Sequence, residues 1–105
     1  MLKNRGKILW IDDEIQHLKP HILFLEEKGY SLTTVTNGQD GAAIIKENNF
    51  DLVLLDQTMP GMDGLEVLKE IKKVTQNQLI IMITKTEDEW LMDEAIHSQV
   101  DQFLI

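Results

Sequence analysis

The segment KILWIDD, residues 7–13, places four apolar residues directly before two acidic ones. A second segment, DLVLLD at residues 51–56, has the same arrangement and ends at Asp56. Short apolar runs of this kind are typical of strands that are buried on both faces of a parallel sheet. Ligands of open α/β sheets bind outside the carboxyl ends of the strands. If these two strands are neighbours, we expect Asp12, Asp13 and Asp56 to converge at that edge.

A cluster of three carboxylates predicts a cation site. Carboxylates in one small volume repel each other, so either one of them is protonated or a cation neutralises the set. Mg²⁺ is a hard ion that prefers oxygen ligands and needs only one or two carboxylates beside its waters. The two acidic segments therefore predict a Mg²⁺ site with phosphoryl chemistry.

Outward from these segments, the apolar periodicity alternates between strand and helix. It predicts strands at residues 8–11, 31–35, 51–55, 79–83 and 101–105, and helices at 15–28, 39–48, 65–73 and 87–98. Pro20 should kink the first helix or delay its regular part, Gly29 should end it, and Asn37-Gly38 should form a turn. Right-handed crossovers place the helices on both faces of a parallel sheet. No helix follows the last predicted strand, so we expect the chain to be cut from a longer protein.

Composition and charge narrow the class of protein. The 105 residues suit one domain, and 43% of them are hydrophobic, enough for one ordinary core. There is no cysteine, and hence neither a disulfide framework nor a thiolate metal site. The net charge of −8 argues against direct nucleic-acid binding, which needs clustered Lys and Arg. No apolar stretch is long enough for a membrane span or a signal peptide, so we expect a cytoplasmic protein without a membrane partner.

Three motifs in order resemble the receiver domain of bacterial two-component response regulators. They are Asp12-Asp13-Glu14, the segment DQTMPGMDG at residues 56–64, and Ile83-Thr84, and the match covers nearly the whole chain. The resemblance implies a flavodoxin-like (CheY-like), doubly wound parallel sheet of five strands in the order 2-1-3-4-5, with the final helix missing. It implies that residues 1–105 form a signalling domain that catalyses only its own phosphorylation and dephosphorylation. Segments 8–14, 18–26 and 81–85 further resemble the PorX-type regulators of Bacteroidetes, which carry a PglZ-like output domain.

Family roles carry over to the acidic cluster residue by residue. Asp56 resembles the phosphoacceptor, whose carboxylate attacks the phosphohistidine of a sensor histidine kinase. Asp13 resembles a direct Mg²⁺ ligand, and Asp12 resembles an acid that acts on the metal through water. The backbone carbonyl of Thr58 is expected to supply a further metal ligand.

The same resemblance implies a switch. Thr84 corresponds to the hydroxyl that turns toward the phosphoryl group, and Phe103 to the aromatic residue that rotates inward with it. Lys85 stands where the family usually has a small residue, and it is a candidate for contact with the phosphoryl group. The family's lysine after strand five would fall immediately after Ile105, and without it we expect poor phosphorylation and poor switching. The switched surface of helix four and strand five is expected to control homodimerisation or an output domain.

Three other functions are alternatives to the receiver function. A phosphotransferase of the haloacid-dehalogenase type also forms an aspartyl phosphate, but it needs Asp-x-Asp, and Thr58 stands two residues after Asp56. A dinucleotide-binding domain needs a glycine-rich loop after its first strand, which is absent here. A degenerate receiver that acts only as a protein-interaction module remains the alternative.

Overall fold

The computed structural model describes residues 5–57, 64–75, 77–83 and 102–104, and the last three by their backbone alone. The elements in chain order are β1 (Gly6–Ile11), a 3₁₀ helix (Ile15–Leu18), α1 (Lys19–Glu27), β2 (Tyr30–Val35), α2 (Gly38–Glu47), β3 (Leu52–Asp56), α3 (Gly64–Val74), β4 (Ile80–Ile83) and β5 (Gln102–Leu104). The predicted alternation of strands and helices is confirmed as far as β4. The fourth helix, predicted at residues 87–98, lies outside the described residues. None of the described helices is long and apolar enough to cross a bilayer.

All five strands join one parallel sheet in the order β2-β1-β3-β4-β5, as the resemblance implied. β1 lies between β2 and β3, with Ile11 opposite both Val35 and Leu55. The chain order therefore reverses between β1 and β3. This is the type of position at which open α/β sheets bind ligands.

The third strand differs by one residue at each end from the prediction of residues 51–55. β3 begins at Leu52 and includes Asp56, which pairs with Ile83 of β4. The apolar run ends at Leu55, but the hydrogen-bond ladder is a property of the backbone and continues for one more residue. The carboxylate of Asp56 is thus attached to a strand and not to a loop.

Pro20 delays the first helix, as predicted. Residues Ile15–Leu18 form a separate 3₁₀ helix, and α1 starts at Lys19 with Pro20 in its first turn. Proline is tolerated there because the first N–H groups of a helix have no intrahelical acceptor. The helix ends before Gly29, whose φ of +103° lies in the region that favours glycine.

Asn37 and Gly38 do not form the isolated turn that we predicted. Asn37 is the N-cap of α2, and its side-chain oxygen accepts a hydrogen bond from the backbone N–H of Asp40 at 2.8 Å. Gly38 is already the first residue of the helix. An asparagine oxygen that satisfies a free N–H of the first helical turn stabilises the helix start. The Asn-Gly pair therefore starts α2.

The two faces of the sheet have separate cores. On the α2 and α3 side, Leu9 and Ile11 of β1 are fully buried in a cluster with residues from β3, β4, α2 and α3. On the α1 side, Ile8 and Trp10 pack with Leu54 and with the half-buried side chains of α1. β1 is therefore buried on both faces, as its uninterrupted apolar run indicated.

β1 and β3 are also tied together at their starts. The carboxylate of Asp51 accepts a hydrogen bond from the backbone N–H of Lys7 at 2.7 Å. The backbone N–H of Asp51 donates to the carbonyl of Lys7 at 2.8 Å. These two bonds fix the register of the strand pair at the end opposite Asp12 and Asp56.

Candidate functional site

Three carboxylates meet at the carboxyl ends of β1 and β3. Asp12 and Asp13 follow β1, Asp56 ends β3, and one oxygen atom of each lies within 4.8 Å of the others. Asp56 is 2% exposed and Asp12 5% exposed, whereas Asp13 is open to solvent. The structure therefore brings together the three aspartates that the sequence placed at this edge. An ion or an anionic group would approach from the side of Asp13.

The backbone around Asp12 holds its side chain in place. The N–H of Asp12 donates to the carbonyl of Val35 on β2 at 3.1 Å. One carboxylate oxygen of Asp12 accepts a hydrogen bond from the N–H of Glu14 at 2.8 Å. A short acidic side chain that binds the backbone two residues later is typical of a tight turn. That bond fixes one oxygen and leaves the second carboxylate oxygen of Asp12 available to the cluster.

The segment after Asp56 is held from two sides. The N–H of Gln57 donates to the carbonyl of Ile83 on β4 at 2.9 Å, and its carbonyl accepts from the N–H of Gly64 at 2.8 Å. The end of β3 is therefore attached to the end of β4 and to the first residue of α3. This attachment leaves little freedom for the backbone that carries the Asp56 carboxylate.

Gly64 makes this attachment possible. A Cβ atom at Gly64 would lie 2.7 Å from the carbonyl oxygen of Asp56 and 2.7 Å from the Cα of Gln57. Both are backbone atoms, so neither can move away by a side-chain rotation. Only glycine allows the start of α3 to approach β3 this closely.

The donor set fits Mg²⁺. All three ligand atoms are carboxylate oxygens, and within the described ranges no other group of three His, Cys, Asp or Glu side chains could hold a metal ion. Octahedral Mg²⁺ at about 2.1 Å from its ligands places their oxygens about 3–4 Å apart. The three oxygens of the cluster, within 4.8 Å of one another, are close to that spacing. A cation here would also offset the cost of burying the charges of Asp12 and Asp56.

We expect Mg²⁺ to raise the unfolding midpoint of the chain, and Asp13→Asn to remove most of that rise. Loss of a charged oxygen ligand should weaken Mg²⁺ binding by about tenfold or more, whereas the variant without metal should be slightly more stable because repulsion falls. Thermal unfolding with and without Mg²⁺ measures both effects. Glu27→Gln, an equal charge change at the end of α1, is the control. An Asp13→Asn variant that gains as much from Mg²⁺ as the unchanged chain would contradict the metal assignment.

A cleft of about 390 Å³ opens beside the cluster. It is lined by Asp13, by residues of the 3₁₀ helix and by Thr36 after β2. Glu14 and His17 also border it, with His17 Nδ1 3.5 Å from a carboxylate oxygen of Glu14. The exposed Asp13 side of the cluster thus faces an open cleft.

The remaining predicted site residues cannot be compared with side-chain positions. Thr58, Thr84 and Lys85 lie outside the described residues, and Phe103 is described only by its backbone in β5. Their roles stay predictions. The sequence reasoning did not single out Gln57, a buried amide next to Asp56. Its only sequence signal is a polar residue between an apolar strand and a glycine- and proline-containing segment.

The chain is similar to known proteins of one family. A family model of the response regulator receiver domain matches residues 8–105. The transcriptional regulatory protein ResD of Bacillus subtilis (strain 168) is 36% identical over 85 residues, which are 81% of this chain and 35% of ResD. The chain thus spans about a third of the length of this relative.

Solved structures give the same result for the fold. A two-component response regulator from Clostridium difficile has a TM-score of 0.89 and 31% identity, with 96% of this chain and 83% of that chain covered. The response regulator protein TrrA from Thermotoga maritima, solved in complex with Mg(2+)-BeF, has a TM-score of 0.83 and 33% identity, with 94% and 84% covered. The fold is therefore the flavodoxin-like fold of the CheY-like receivers.

Proposed function

Because this chain belongs to the response regulator receiver domain family of two-component systems, we propose that Asp56 accepts a phosphoryl group from a sensor histidine kinase in the presence of Mg²⁺. The observation that carries the proposal is the convergence of Asp12, Asp13 and Asp56 at the reversal of strand order. Asp56 is the most buried of the three, and the residue after it is hydrogen-bonded to β4 and to α3. That combination suits a nucleophile whose position must be exact.

Asp56, Asp13 and Asp12 have different roles in phosphoryl transfer. A carboxylate oxygen of Asp56 forms the new bond to phosphorus while the bond from phosphorus to the donor imidazole nitrogen breaks, which leaves an acyl phosphate and a histidine. Mg²⁺, when bound, neutralises the charge that gathers between the carboxylates and the phosphoryl oxygens. Asp13 holds the ion at the solvent side, and Asp12 orients it through water. The fixed backbone of Asp56 keeps its carboxylate in line with the incoming group.

We infer the switch residues from the family resemblance, and the role of Lys85 from its departure from the family pattern. Thr58 supplies a carbonyl oxygen to the metal, Thr84 binds the phosphoryl group through its hydroxyl, and Phe103 moves inward with Thr84. Lys85 contacts the phosphoryl group and slows attack by water. The acyl phosphate favours the conformation in which these contacts exist, and the surface of helix four and strand five changes with it. In the cytoplasm that surface controls homodimerisation or an output domain.

The kind of output is a finer proposal. The resemblance of segments 8–14, 18–26 and 81–85 to PorX-type regulators supports a PglZ-like output domain. ResD is a transcriptional regulatory protein, and similarity to it supports an output that controls transcription instead. Sequencing the reading frame beyond Ile105 separates the two. A DNA-binding domain there would overturn the PglZ-like proposal and leave the receiver function intact.

Phosphorylation by a small phosphodonor tests the main proposal without knowledge of the kinase. We expect acetyl phosphate with Mg²⁺ to add the mass of one phosphoryl group to the chain, as measured by intact-protein mass spectrometry. A chelator should prevent the reaction, because the buried carboxylates then repel the donor. A chain that stays unmodified at saturating donor and Mg²⁺ would instead be an interaction module without a phosphoacceptor.

A further inference from the structure

Gln57 is a buried polar residue directly after the proposed phosphoacceptor. Its side chain is 5% exposed, and its amide oxygen Oε1 is fully buried without a hydrogen-bond partner in the described part of the chain. Most buried side-chain polar atoms in folded proteins have a partner, and each exception needs a physical explanation. The position of this one, between Asp56 and the start of α3, points to a connection with the switch.

Hydrogen bonds and packing restrict the position of the Gln57 side chain. Its backbone is held by Ile83 of β4 and Gly64 of α3 through hydrogen bonds of 2.9 and 2.8 Å. Its Oε1 lies 3.0 Å from the place that a Cβ of Gly64 would take, so the side chain packs against the first residue of α3. Oε1 is therefore held against the contact between β3 and α3.

We propose that Gln57 biases the conformational equilibrium of this domain toward its phosphorylated form. Among the described residues no group donates to Oε1, and in the phosphorylated conformation a protein N–H or O–H group supplies that hydrogen bond. The inference rests on the proposed function, because Asp56 must accept the phosphoryl group for the equilibrium to shift. It adds a residue that makes the unphosphorylated conformation less favourable.

The chemistry of the groups supports this direction. An amide oxygen only accepts hydrogen bonds, and phosphoryl oxygens at neutral pH are acceptors too, so the phosphoryl group itself cannot be the partner. Asp56 and Gln57 are both buried, and the backbone of Gln57 is hydrogen-bonded to β4 and to α3, so a new group on Asp56 acts on the packing around Gln57. A rearrangement that pairs a buried, unpaired acceptor is favoured by the desolvation penalty that it removes. A free-energy difference of a few kcal/mol, the size of one such penalty, is enough to shift a two-state equilibrium.

The test compares the unchanged chain with Gln57→Met, a substitution of similar size that removes the amide. We expect Gln57→Met to unfold at the same urea concentration as the unchanged chain or at a higher one, because no buried acceptor is left unpaired. We expect its affinity for beryllofluoride, an acyl-phosphate mimic, to fall about fivefold to a hundredfold at saturating Mg²⁺. This corresponds to about 1–3 kcal/mol at 1.4 kcal/mol per tenfold change. The buried Trp10, two residues before Asp12, serves as the fluorescence reporter.

Gln78→Met is the matched control. Gln78 is a second buried amide, 9% exposed, and lies just before β4, far along the sequence from the cluster. Its Nε2 donates a hydrogen bond to the carbonyl of Leu79 at 3.2 Å. This variant should lose some stability and keep its affinity for beryllofluoride. Any loss of stability in Gln57→Met, or an unchanged affinity, overturns the role of Gln57 while the unchanged chain still binds the mimic. If the unchanged chain does not bind beryllofluoride with Mg²⁺, the phosphoacceptor role fails, and this inference falls with it.

Discussion

Asp56→Asn is expected to abolish phosphorylation of the chain by acetyl phosphate and its Mg²⁺-dependent response to beryllofluoride. An amide oxygen is a far weaker nucleophile than a carboxylate and cannot form the acyl phosphate, so the expected loss is complete. The folded variant should also be somewhat more stable without Mg²⁺, because one of three mutually repelling charges has been removed. Intact mass after incubation with the donor measures the first effect, and urea unfolding measures the second.

Asp51→Asn is the control for this variant. Asp51 lies just before the opposite end of β3, and the oxygen that accepts the Lys7 N–H at 2.7 Å is retained in an asparagine. It carries the same chemical change at a distance from the cluster, so phosphorylation should continue at the rate of the unchanged chain. An Asp56→Asn chain that still gained one phosphoryl group would move the acceptor to Asp12 or Asp13.

Gly64→Ala is expected to destabilise the domain by about 1–3 kcal/mol and to slow phosphorylation of Asp56. The added Cβ would lie 2.7 Å from backbone atoms of Asp56 and Gln57, which β4 and α3 hold from both sides. Relief requires a shift of α3 or of the end of β3, and overpacking of this kind usually costs that much. The displacement would also move the carboxylate away from its position in line with the donor. Urea midpoints and the rate of mass gain measure the two effects.

Gly41→Ala offers a comparison with a different kind of neighbour. A Cβ at Gly41 of α2 would meet the side chain of Ile11, at 2.5 Å from its terminal Cδ1. Ile11 can change rotamer, whereas a backbone carbonyl cannot, so the cost at Gly41 should be smaller. Equal stabilities for Gly64→Ala and the unchanged chain would show that α3 moves freely relative to β3.

The alternation of strands and helices and the acidic ends of β1 and β3 could be predicted because both depend on simple local patterns, whereas the strand order was implied by the family resemblance. Two apolar runs, each followed by aspartate, required only that β1 and β3 be neighbours, and Ile11 does lie opposite Leu55. The effect of Pro20 on the first helix was predictable as well, since its missing N–H acts within one helical turn. These features follow from the chemistry of the residues themselves.

The parts that could not be predicted depend on what folds over a residue. Asn-Gly is typical of a turn, but the N–H of Asp40 three residues later made Asn37 a helix cap. Gln57 carries no periodic signal, and it is buried only because α3 begins against it. Asp56 joined β3 because β4 supplies it with a pairing partner. In each case a contact made elsewhere in the chain decided the outcome.

The clamp between Lys7 and Asp51 has a consequence for how the molecule opens. Local opening starts in segments with few buried contacts and reaches doubly buried central strands last. β1 and β3 are joined at their starts by this clamp, paired along their lengths and covered on both faces. The slowest amide hydrogen exchange should therefore fall on this strand pair. A chain whose α1 has frayed still carries Asp12, Asp13 and Asp56 side by side, so the acidic cluster outlasts the helix that covers the other core.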